Sequence, residues 1–524
     1  MDDKIIVTNL SALTAKYKTS GVSKIKTACR QLIAADKKRG LATRIINIDD
    51  PKAMQKVGGA AVKNPKDPGQ NKRAIDAVYK KLNPDYVMLL GSIDVIPHQD
   101  LKNPVPSDGD SHAFGDLPYA CEKGYSRKPE DFIGPSRVVG RLPDLVGASD
   151  PAYLIGLLKT ATNFKSRPPS DYDGYFALSS ALWEGSTRMS LDNIFGSNGR
   201  LNLSPNRGPK WTPNALSKKF HFINCHGSRA NPIFQGEKRK SEKGERYPFA
   251  HDAAHVADKI VEGTVAAAEC CYGAEQYDSI LLAGGQMGIS NAYLAAKAYG
   301  FFGSTTIAYG PPDDNGAADL ICQYFLLRVM AGASIGRAAL EARQEFVGSA
   351  TTLDPFDLKT IAQFYLLGDP SVVPIKVPEP QLVAAPKTTA KSSTKSVDPR
   401  SVERNARRQR LRTKGLWLAK SQPVCASTGK EGVPKSLEDT MQKIAAKVDI
   451  KDPAMSSFAI DQKSASNDPT AKAMAATAFH VIVPGDASES NSMMTESGTV
   501  NAAVCVVAKE VGGNIVSYRE LHRK

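Results

Sequence analysis

Two short apolar runs in the middle of the chain each end in a residue type that can carry nucleophilic catalysis. The run FHFINCHGS contains His226 followed by Gly227, and the run GTVAAAECCYGA contains Cys270 and Cys271, with Gly273 shortly after them. Apolar runs of four to eight residues closed by glycine are typical of buried parallel strands, and ligands collect at the carboxyl ends of such strands. Two neighbouring strands of this kind would present an imidazole and a thiol at one edge of a sheet.

An imidazole beside a thiol suits attack on a peptide carbonyl. A free thiol has a pKa of about 8.5, so a nearby imidazole is needed to accept its proton or to stabilise the thiolate at neutral pH. The attack creates an oxyanion, which backbone N–H groups must stabilise. Gly227 supplies an unobstructed amide beside His226, and the amide of the nucleophilic cysteine is the natural second donor. The chemistry predicted by these residues is that of a thiol protease, with His226 as the general acid/base.

The two blocks resemble the caspase clan of cysteine peptidases, and in particular the gingipain-like family. Four further blocks resemble the family in the same order, namely DYVMLLGSIDVIP (85–97), FIGPSRVVGRLPD (132–144), GISNAYLAAKAYGFFGSTTIAYG (288–310) and FYLLGDPSVVP (364–374). The resemblance covers about residues 1–376. It implies two caspase-like doubly wound, mostly parallel sheet units and a cysteine endopeptidase that needs no metal for the chemical step.

The resemblance also implies which cysteine reacts. The family places its nucleophile three residues before the glycine, which selects Cys270, and the predicted oxyanion hole is then formed by the amides of Gly227 and Cys270. Cys271 is interpreted as a small buried neighbour, as free cysteines usually are. Cys225 directly precedes His226, so strand alternation points it to the opposite face.

Five further residues are implied as parts of the site. Glu184 and Asp192 lie nearest to the family's acidic residues that orient the histidine or face a basic P1 side chain; the alternatives are an acid at a helix N-terminus and a solvated helix face. Ser304 and Thr305 would bind the substrate backbone, and the Tyr309 ring would cover the stem of the P1 side chain. A basic P1 residue is predicted ahead of aspartate.

The length and composition indicate a multidomain globular protein. The chain has 524 residues, a formal net charge of +14 and eight scattered cysteines, which fits two or three domains and reduced thiols. The first residues show no secretion signal, and no apolar run is long enough to span a membrane. We therefore predict a cytoplasmic protein.

Composition shifts divide the chain into four parts. Residues 1–165 alternate strands with helices and are predicted to be a non-catalytic α/β subdomain, and residues 166–376 the caspase-like catalytic subdomain. Residues 377–435 are rich in Pro, Ala, Ser, Thr and basic residues, which predicts a disordered linker. Residues 436–524 are predicted to form a small α+β domain of unknown role, and regulation or partner binding is the hypothesis for it.

The basic linker and two loops suggest further roles. Residues 387–420 contain eleven Lys and Arg and two acidic residues, which gives this segment a net charge of +9. Such a segment can serve as a tether, which is the favoured interpretation, or bind nucleic acid. The loop 107–124, with Asp108, Asp110 and Asp116, is predicted to be a solvated acidic loop rather than a structural Ca²⁺ site, and no cofactor is expected. The charged loop 236–249 is predicted to be solvated surface and a place for self-cleavage.

The leading hypothesis is a cysteine endopeptidase acting on protein or peptide substrates. The alternative, from another class, is a catalytically silent caspase-like scaffold that binds a protein or nucleic-acid partner through the basic linker and the C-terminal domain.

Overall fold

The computed structural model describes residues 2–105, 108–204, 212–257, 259–377, 399–426, 428–461, 477–485, 492–495, 498–501 and 503–524. The strands are β1 (Lys4–Thr8), β2 (Thr43–Asn47), β3 (Tyr86–Leu90), β4 (Gln99–Lys102), β5 (His112–Gly115), β6 (Val138–Leu142), β7 (Tyr175–Ser180), β8 (Leu201–Ser204), β9 (Phe220–Asn224), β10 (His226–Gly227), β11 (Ile233–Gln235), β12 (Phe249–Asp252), β13 (Val265–Ala268), β14 (Gly300–Ser304), β15 (Tyr309–Gly310), β16 (Phe364–Leu367), β17 (Val424–Cys425), β18 (Lys430–Glu431), β19 (Pro453–Asp461), β20 (Thr477–Pro484), β21 (Ser492–Thr495), β22 (Gly498–Asn501), β23 (Val504–Val511) and β24 (Asn514–Arg523). The α-helices are α1 (Leu10–Lys38), α2 (Pro51–Lys56), α3 (Pro68–Leu82), α4 (Ala152–Asn163), α5 (Glu184–Phe195), α6 (Pro213–Leu216), α7 (Ser279–Leu282), α8 (Ile289–Ala295), α9 (Ala317–Met330), α10 (Ile335–Ser349), α11 (Pro355–Gln363), α12 (Pro399–Ser421) and α13 (Lys435–Lys447). Short 3-10 turns occur at Leu117–Ala120, Pro129–Phe132, Pro169–Tyr172 and Ala181–Trp183.

A ten-stranded, mostly parallel sheet is the centre of the fold. Its strand order is β2-β1-β3-β6-β16-β14-β13-β9-β7-β8. The pair β14 and β16 is antiparallel, whereas β16 is parallel to β6, so the strands of the two halves run in opposite directions. The predicted α/β class is confirmed, and the two predicted sheet units are joined edge to edge into one sheet.

Strand β13 runs through the middle of the second half and consists of small residues. All four of its residues are buried, and they contribute alternately to two cores on opposite faces of the sheet. Ala266 and Ala268 belong to one core, and Val265 and Ala267 to the other. This alternation continues past the end of the strand, where the two adjacent cysteines follow.

The C-terminal part forms a second, antiparallel sheet that includes strand β15 of residues 166–376, which are named the catalytic half after their predicted role. The order is β15-β24-β23-β20-β19-β17, and β18 pairs with β19. Helix α13 and these strands confirm the predicted α+β class of this region. Apolar side chains of this sheet, such as Phe458 and Leu521, belong to the same core as Leu353 and Phe356. The sheet is therefore packed onto the catalytic half through a shared core.

The prediction of a disordered linker over residues 377–435 is wrong for its second half. Residues 399–421 form helix α12, while residues 378–398 lie outside the described part. The basic side chains of α12 find acidic partners on the first half: Arg408 Nη1 lies 3.2 Å from Asp85 Oδ1, and Arg412 Nε lies 2.6 Å from Glu122 Oε1. These ion pairs explain why a basic, apolar-poor segment is ordered, which composition alone cannot show.

None of the helices within the described ranges is both long enough and apolar enough to cross a membrane. All eight cysteines lie in described segments, and each is a buried free thiol.

Candidate active site

His226 begins a short hairpin, and neighbouring side chains fix its ring. Strand β10 pairs antiparallel with β11, with His226 opposite Gln235. His226 Nε2 lies 2.9 Å from Glu237 Oε2, and the rings of Trp183 and Tyr247 approach the imidazole with centroid distances of 4.5 and 5.3 Å. A carboxylate at this position orients an imidazole and stabilises its protonated form.

Glu237 is held in place by both its backbone and its side chain. Its N–H donates to Ser180 Oγ at 3.0 Å, and its carbonyl accepts from the same hydroxyl at 3.0 Å. Arg246 donates to Glu237 Oε1 through Nε and Nη2, each at 3.1 Å. Burial would raise the pKa of Glu237, but the hydrogen bond to His226 and the charge of Arg246 lower it below its ordinary value.

Sequence reasoning missed Glu237. It lies in the loop 236–249, which was interpreted as solvated surface, yet Glu237 is only 5% exposed and Tyr247 is 2% exposed. The one signal for it is its position two residues after β11, the hairpin partner of the strand that carries His226. Alternating charges around it hid that signal.

His226 and Cys271 follow the neighbouring strands β9 and β13 at equal steps along the chain. Strands β9 and β13 are parallel neighbours, with Ala268 opposite Ile223, and the N–H of Glu269 extends the ladder by donating to the Ile223 carbonyl at 2.9 Å. His226 and Cys271 each lie three residues beyond the pair Ile223 and Ala268, past the ends of the two strands. Neighbouring strands lie about 4.8 Å apart, and residues at matched positions share a face.

Cys270, the predicted nucleophile, lies on the other face of the sheet. Its side chain is completely buried in the core that also contains Cys225 and Ala268, and its Sγ is 4.0 Å from the Ile223 carbonyl oxygen. Burial first, and then neighbouring Cys225, raise the pKa of the Cys270 thiol well above its ordinary value. The placement does not fit a nucleophile that works with His226. The alternation that was applied to Cys225 applies equally to Cys270.

Cys271, in contrast, lines an open cleft of about 570 Å³ together with Gly227, Tyr272 and Arg523. Its Sγ accepts the N–H of Ala308 at 3.2 Å. Burial, only partly offset by this hydrogen bond, raises the pKa of Cys271 to about 12. In the state seen here the thiol is therefore protonated at neutral pH.

Gly227 allows the two strand ends to approach closely. A Cβ at this position would lie 1.9 Å from the Cys271 carbonyl oxygen and 3.3 Å from Cys270 Cβ. Any side chain would therefore push His226 away from the cysteine strand. The N–H of Cys271 donates to the carbonyl oxygen of Lys524 at 2.8 Å.

An acidic pocket lies beneath Cys271 on the same sheet face. Glu269 and Asp319 are both completely buried there, and the Lys524 ammonium fills the space between them. Its Nζ lies 3.2 Å from Asp319 Oδ1, 3.8 Å from Glu269 Oε2 and 4.7 Å from the centroid of the Trp183 ring. Burial and the nearby Asp319 raise the pKa of Glu269 well above its ordinary value, and the lysine charge opposes that shift. The pocket is suited to a cation on a long stem.

Gly310 forms one wall of the entrance to this pocket. A Cβ there would lie 2.2 Å from Asp319 Oδ2 and 2.3 Å from Lys524 Cε. The absence of a side chain thus leaves room for the lysine stem.

The structure places Glu184 and Asp192 away from the imidazole. Glu184 forms ion pairs with Arg188 and Arg239, and Asp192 accepts a hydrogen bond from Asn198 at 2.7 Å. The acid that contacts His226 comes instead from the hairpin, and the acids of the acidic pocket come from the end of β13 and from the first turn of α9. Their spacing along the chain is too irregular to be read as one motif.

Ser304, Thr305 and Tyr309 contribute to the cleft differently from the prediction. Ser304 Oγ donates to the Cys270 carbonyl at 2.8 Å, and Thr305 donates to a backbone carbonyl of β5. The Tyr309 ring is 1% exposed, and its hydroxyl donates to Asp108 at 3.2 Å. The side chains of Ser304 and Tyr309 bind to buried groups of the cleft wall. The backbone of Tyr309 faces the cleft, where it pairs with Arg523.

The acidic loop carries an internal cation instead of a metal-type ligand set. The Lys359 ammonium is paired with Asp108 and with Asp110, and Asp116 is paired with Arg141 at 2.6 Å. These carboxylates are buried, so the prediction of a solvated loop is wrong for them. Across the described residues, no cluster of three or more His, Cys, Asp or Glu is arranged to hold a metal ion.

Comparisons with known proteins found similar solved structures but no matching family model or curated protein. Among solved structures, one described as "Structure of Protease" is similar over 99% of this chain and 96% of its own chain, with 14% identity and a TM-score of 0.43. The Saccharomyces cerevisiae separase–securin complex is similar over 56% of this chain and 17% of that chain, with 10% identity and a TM-score of 0.32.

Proposed function

We propose that the protein is a caspase-like cysteine endopeptidase that cleaves polypeptides after a basic residue. The observation that carries this proposal is that His226 and Cys271 each lie three residues beyond a paired position of the neighbouring parallel strands β9 and β13, with the buried Glu237 beside the imidazole. The gingipain-like motifs in the sequence support the same reaction class, with Cys271 taking the place of Cys270.

In the proposed reaction, His226 accepts the proton of the Cys271 thiol, and the sulfur attacks the carbonyl carbon of the P1 residue. The carbonyl oxygen becomes an oxyanion that the Cys271 N–H stabilises, with the amide of Gly227 as the predicted second donor. Collapse of the intermediate breaks the C–N bond, and His226 gives its proton to the leaving amine. Water, with His226 as base, then hydrolyses the thioester and restores the thiol.

The acidic pocket supports a basic P1 residue. Two buried carboxylates, Glu269 and Asp319, without a compensating cation would be costly, and Trp183 offers a ring face that favours a cation. Lysine has the length to bring its ammonium to this position, as Lys524 does.

The test compares two single substitutions at adjacent positions. We expect Cys271→Ala to reduce kcat/KM on lysine peptides by about 10⁴-fold or more, as loss of a nucleophile does, whereas Cys270→Ala retains most activity because that thiol lies on the opposite face. A screen against a peptide library gives kcat/KM and P1 preference together. If Cys270→Ala abolishes cleavage and Cys271→Ala does not, the assignment is wrong. If neither the wild type nor the Lys524→Ala variant, which removes the cation from the acidic pocket, cleaves any peptide of the library, the scaffold alternative is preferred.

Self-processing in the loop 236–249 stays a prediction. The loop contributes Glu237 and Tyr247 to the surroundings of His226, so a cut there would loosen the imidazole. Mass spectrometry of the purified chain after long incubation measures it.

A further inference from the structure

The end of β24 lies in the candidate cleft as an added strand. Arg523 pairs with Tyr309 and His522 with Gly310 in antiparallel register, and the N–H of Lys524 donates to the Ala308 carbonyl at 3.1 Å. Extended peptides bind to sheet edges in this way, with main-chain hydrogen bonds for affinity and side-chain pockets for specificity.

The side chains of this segment are buried in the cleft. Lys524 is completely buried and Arg523 is 1% exposed. Arg523 Nε lies 3.3 Å from the Tyr309 hydroxyl, whereas the Lys524 ammonium reaches the Glu269–Asp319 pocket. The backbone carbonyl of Lys524 accepts the Cys271 N–H. Both the pocket and the carbonyl-binding amide are thus occupied by one residue of the chain itself.

We propose that residues 522–524 are an intramolecular, substrate-like inhibitor, with Lys524 in the P1 position, and that a polypeptide enters the cleft only when this segment leaves. The inference rests on the proposed function and adds its regulation. It also explains why Cys271 is only 4% exposed although it borders an open cleft.

Because residues 522–524 are covalently connected to the rest of the chain, they can fill the cleft even if their intrinsic affinity for it is low. A tethered segment experiences an effective concentration on the order of 1 mM, so a segment with an intrinsic Kd of about 10 μM would fill the cleft about 99% of the time. The expected consequence is low basal activity that rises by about 10- to 100-fold when the segment is displaced.

Alkylation of Cys271 tests occupancy without requiring catalysis. The full-length protein is treated with iodoacetamide, and peptide mass spectrometry follows the modification rates of Cys271 and Cys270 separately. We expect slow modification of Cys271 in the wild type. Cys270 serves as the internal reference, because it lies in the core and should remain unreactive in every folded variant.

Three substitutions at Lys524 change the occupant while leaving the proposed catalytic groups intact. Lys524→Glu places a third carboxylate beside Glu269 and Asp319, and Lys524→Ala removes the cation without adding charge. We expect both to raise the Cys271 alkylation rate by about 10-fold or more, while Lys524→Arg stays near wild type because it keeps the cation. Lys430→Ala, an exposed position on the same C-terminal sheet, is the matched control and should change nothing.

A peptide of residues 517–524, SYRELHRK, supplies the occupant in trans. We expect it to slow Cys271 alkylation in the Lys524→Ala variant again, whereas the same peptide ending in glutamate should not. Equal alkylation rates in wild type, Lys524→Glu and Lys524→Ala, with unchanged thermal unfolding, would overturn the inference. If the variants open Cys271 but no variant cleaves any peptide, occupancy by residues 522–524 stands and the proposed protease function fails.

Discussion

A buried carboxylate behind an imidazole fixes its orientation and stabilises the imidazolium formed when it takes a proton. Glu237 occupies that position for His226, at 2.9 Å. Arg246 in turn keeps Glu237 charged, since its cation helps to hold the pKa of that carboxyl low. Glu237 is therefore expected to act as a positioning residue, through His226 alone.

The Glu237→Gln variant tests that role. Gln keeps the shape but loses the charge, so we expect kcat/KM to fall by about 10- to 100-fold with KM little changed. Glu184→Gln, which alters an acid paired with Arg188 and Arg239, is the control and should leave kcat/KM unchanged. An unchanged kcat/KM in Glu237→Gln would show that Glu237 is only a structural part of the hairpin.

The two cysteines show how far residue-level reasoning from the sequence reached. The pairing of a His strand with a Cys strand was visible in the two apolar runs, and the structure makes those strands parallel neighbours. Strand alternation could also have separated Cys270 from Cys271, because Cys225 and His226 obey the same rule. Glu237 and Lys524 could not be found in this way, since each reaches the site through a loop or strand whose path is decided by tertiary packing.

At the scale of elements, the short strand β15 forms one wall of the cleft. Its backbone binds the segment 522–524, and its second residue, Gly310, leaves the pocket entrance open. The resemblance implied substrate contacts at Ser304, Thr305 and Tyr309, which the structure divides between β14, the turn after it and β15. The prediction had assigned substrate contact to side chains, because backbone edges have no residue-type signature.

Gly310→Ala measures the importance of that opening. The added Cβ would overlap Asp319 Oδ2 and Lys524 Cε, so we expect kcat/KM for lysine peptides to fall by about 10-fold or more and a P1 alanine peptide to be less affected. Gly316→Ala is the matched control, because its Cβ would find its nearest neighbour at 3.5 Å. Equal losses for both variants, or for both peptides, would show that Gly310 does not shape the pocket. Iodoacetamide should also alkylate Cys271 faster in the Gly310→Ala protein than in the wild type, because the Lys524 stem no longer fits in the pocket.

At the scale of the whole molecule, the sequence predicts four separate parts, whereas the structure shows that these parts pack extensively against one another. Helix α12 forms ion pairs with the first half of the main sheet region, residues 1–165. Strand β15 pairs with β24 and so belongs to the C-terminal sheet. Composition shifts marked where the chain changes character along its length. They could not show that the last sheet shares a core with the catalytic half, because that contact joins residues far apart in sequence.

This shared core predicts how the protein unfolds. Phe458 and Leu521 of the C-terminal sheet are buried with Leu353 and Phe356 of the catalytic half, and the bridge between Leu353 and Val424 links the two backbones. Separating the sheet would expose these apolar side chains to water at a cost of about 25 cal/mol for each Å². We therefore expect the C-terminal sheet and the catalytic half to lose structure in one calorimetric transition. Phe458→Ala should lower the midpoint of that transition, whereas Val516→Ala, at a position 57% exposed on β24, should hardly move it. A separate early transition for the C-terminal sheet, with Cys271 still protected from alkylation after it, would contradict both the shared core and the placement of residues 522–524.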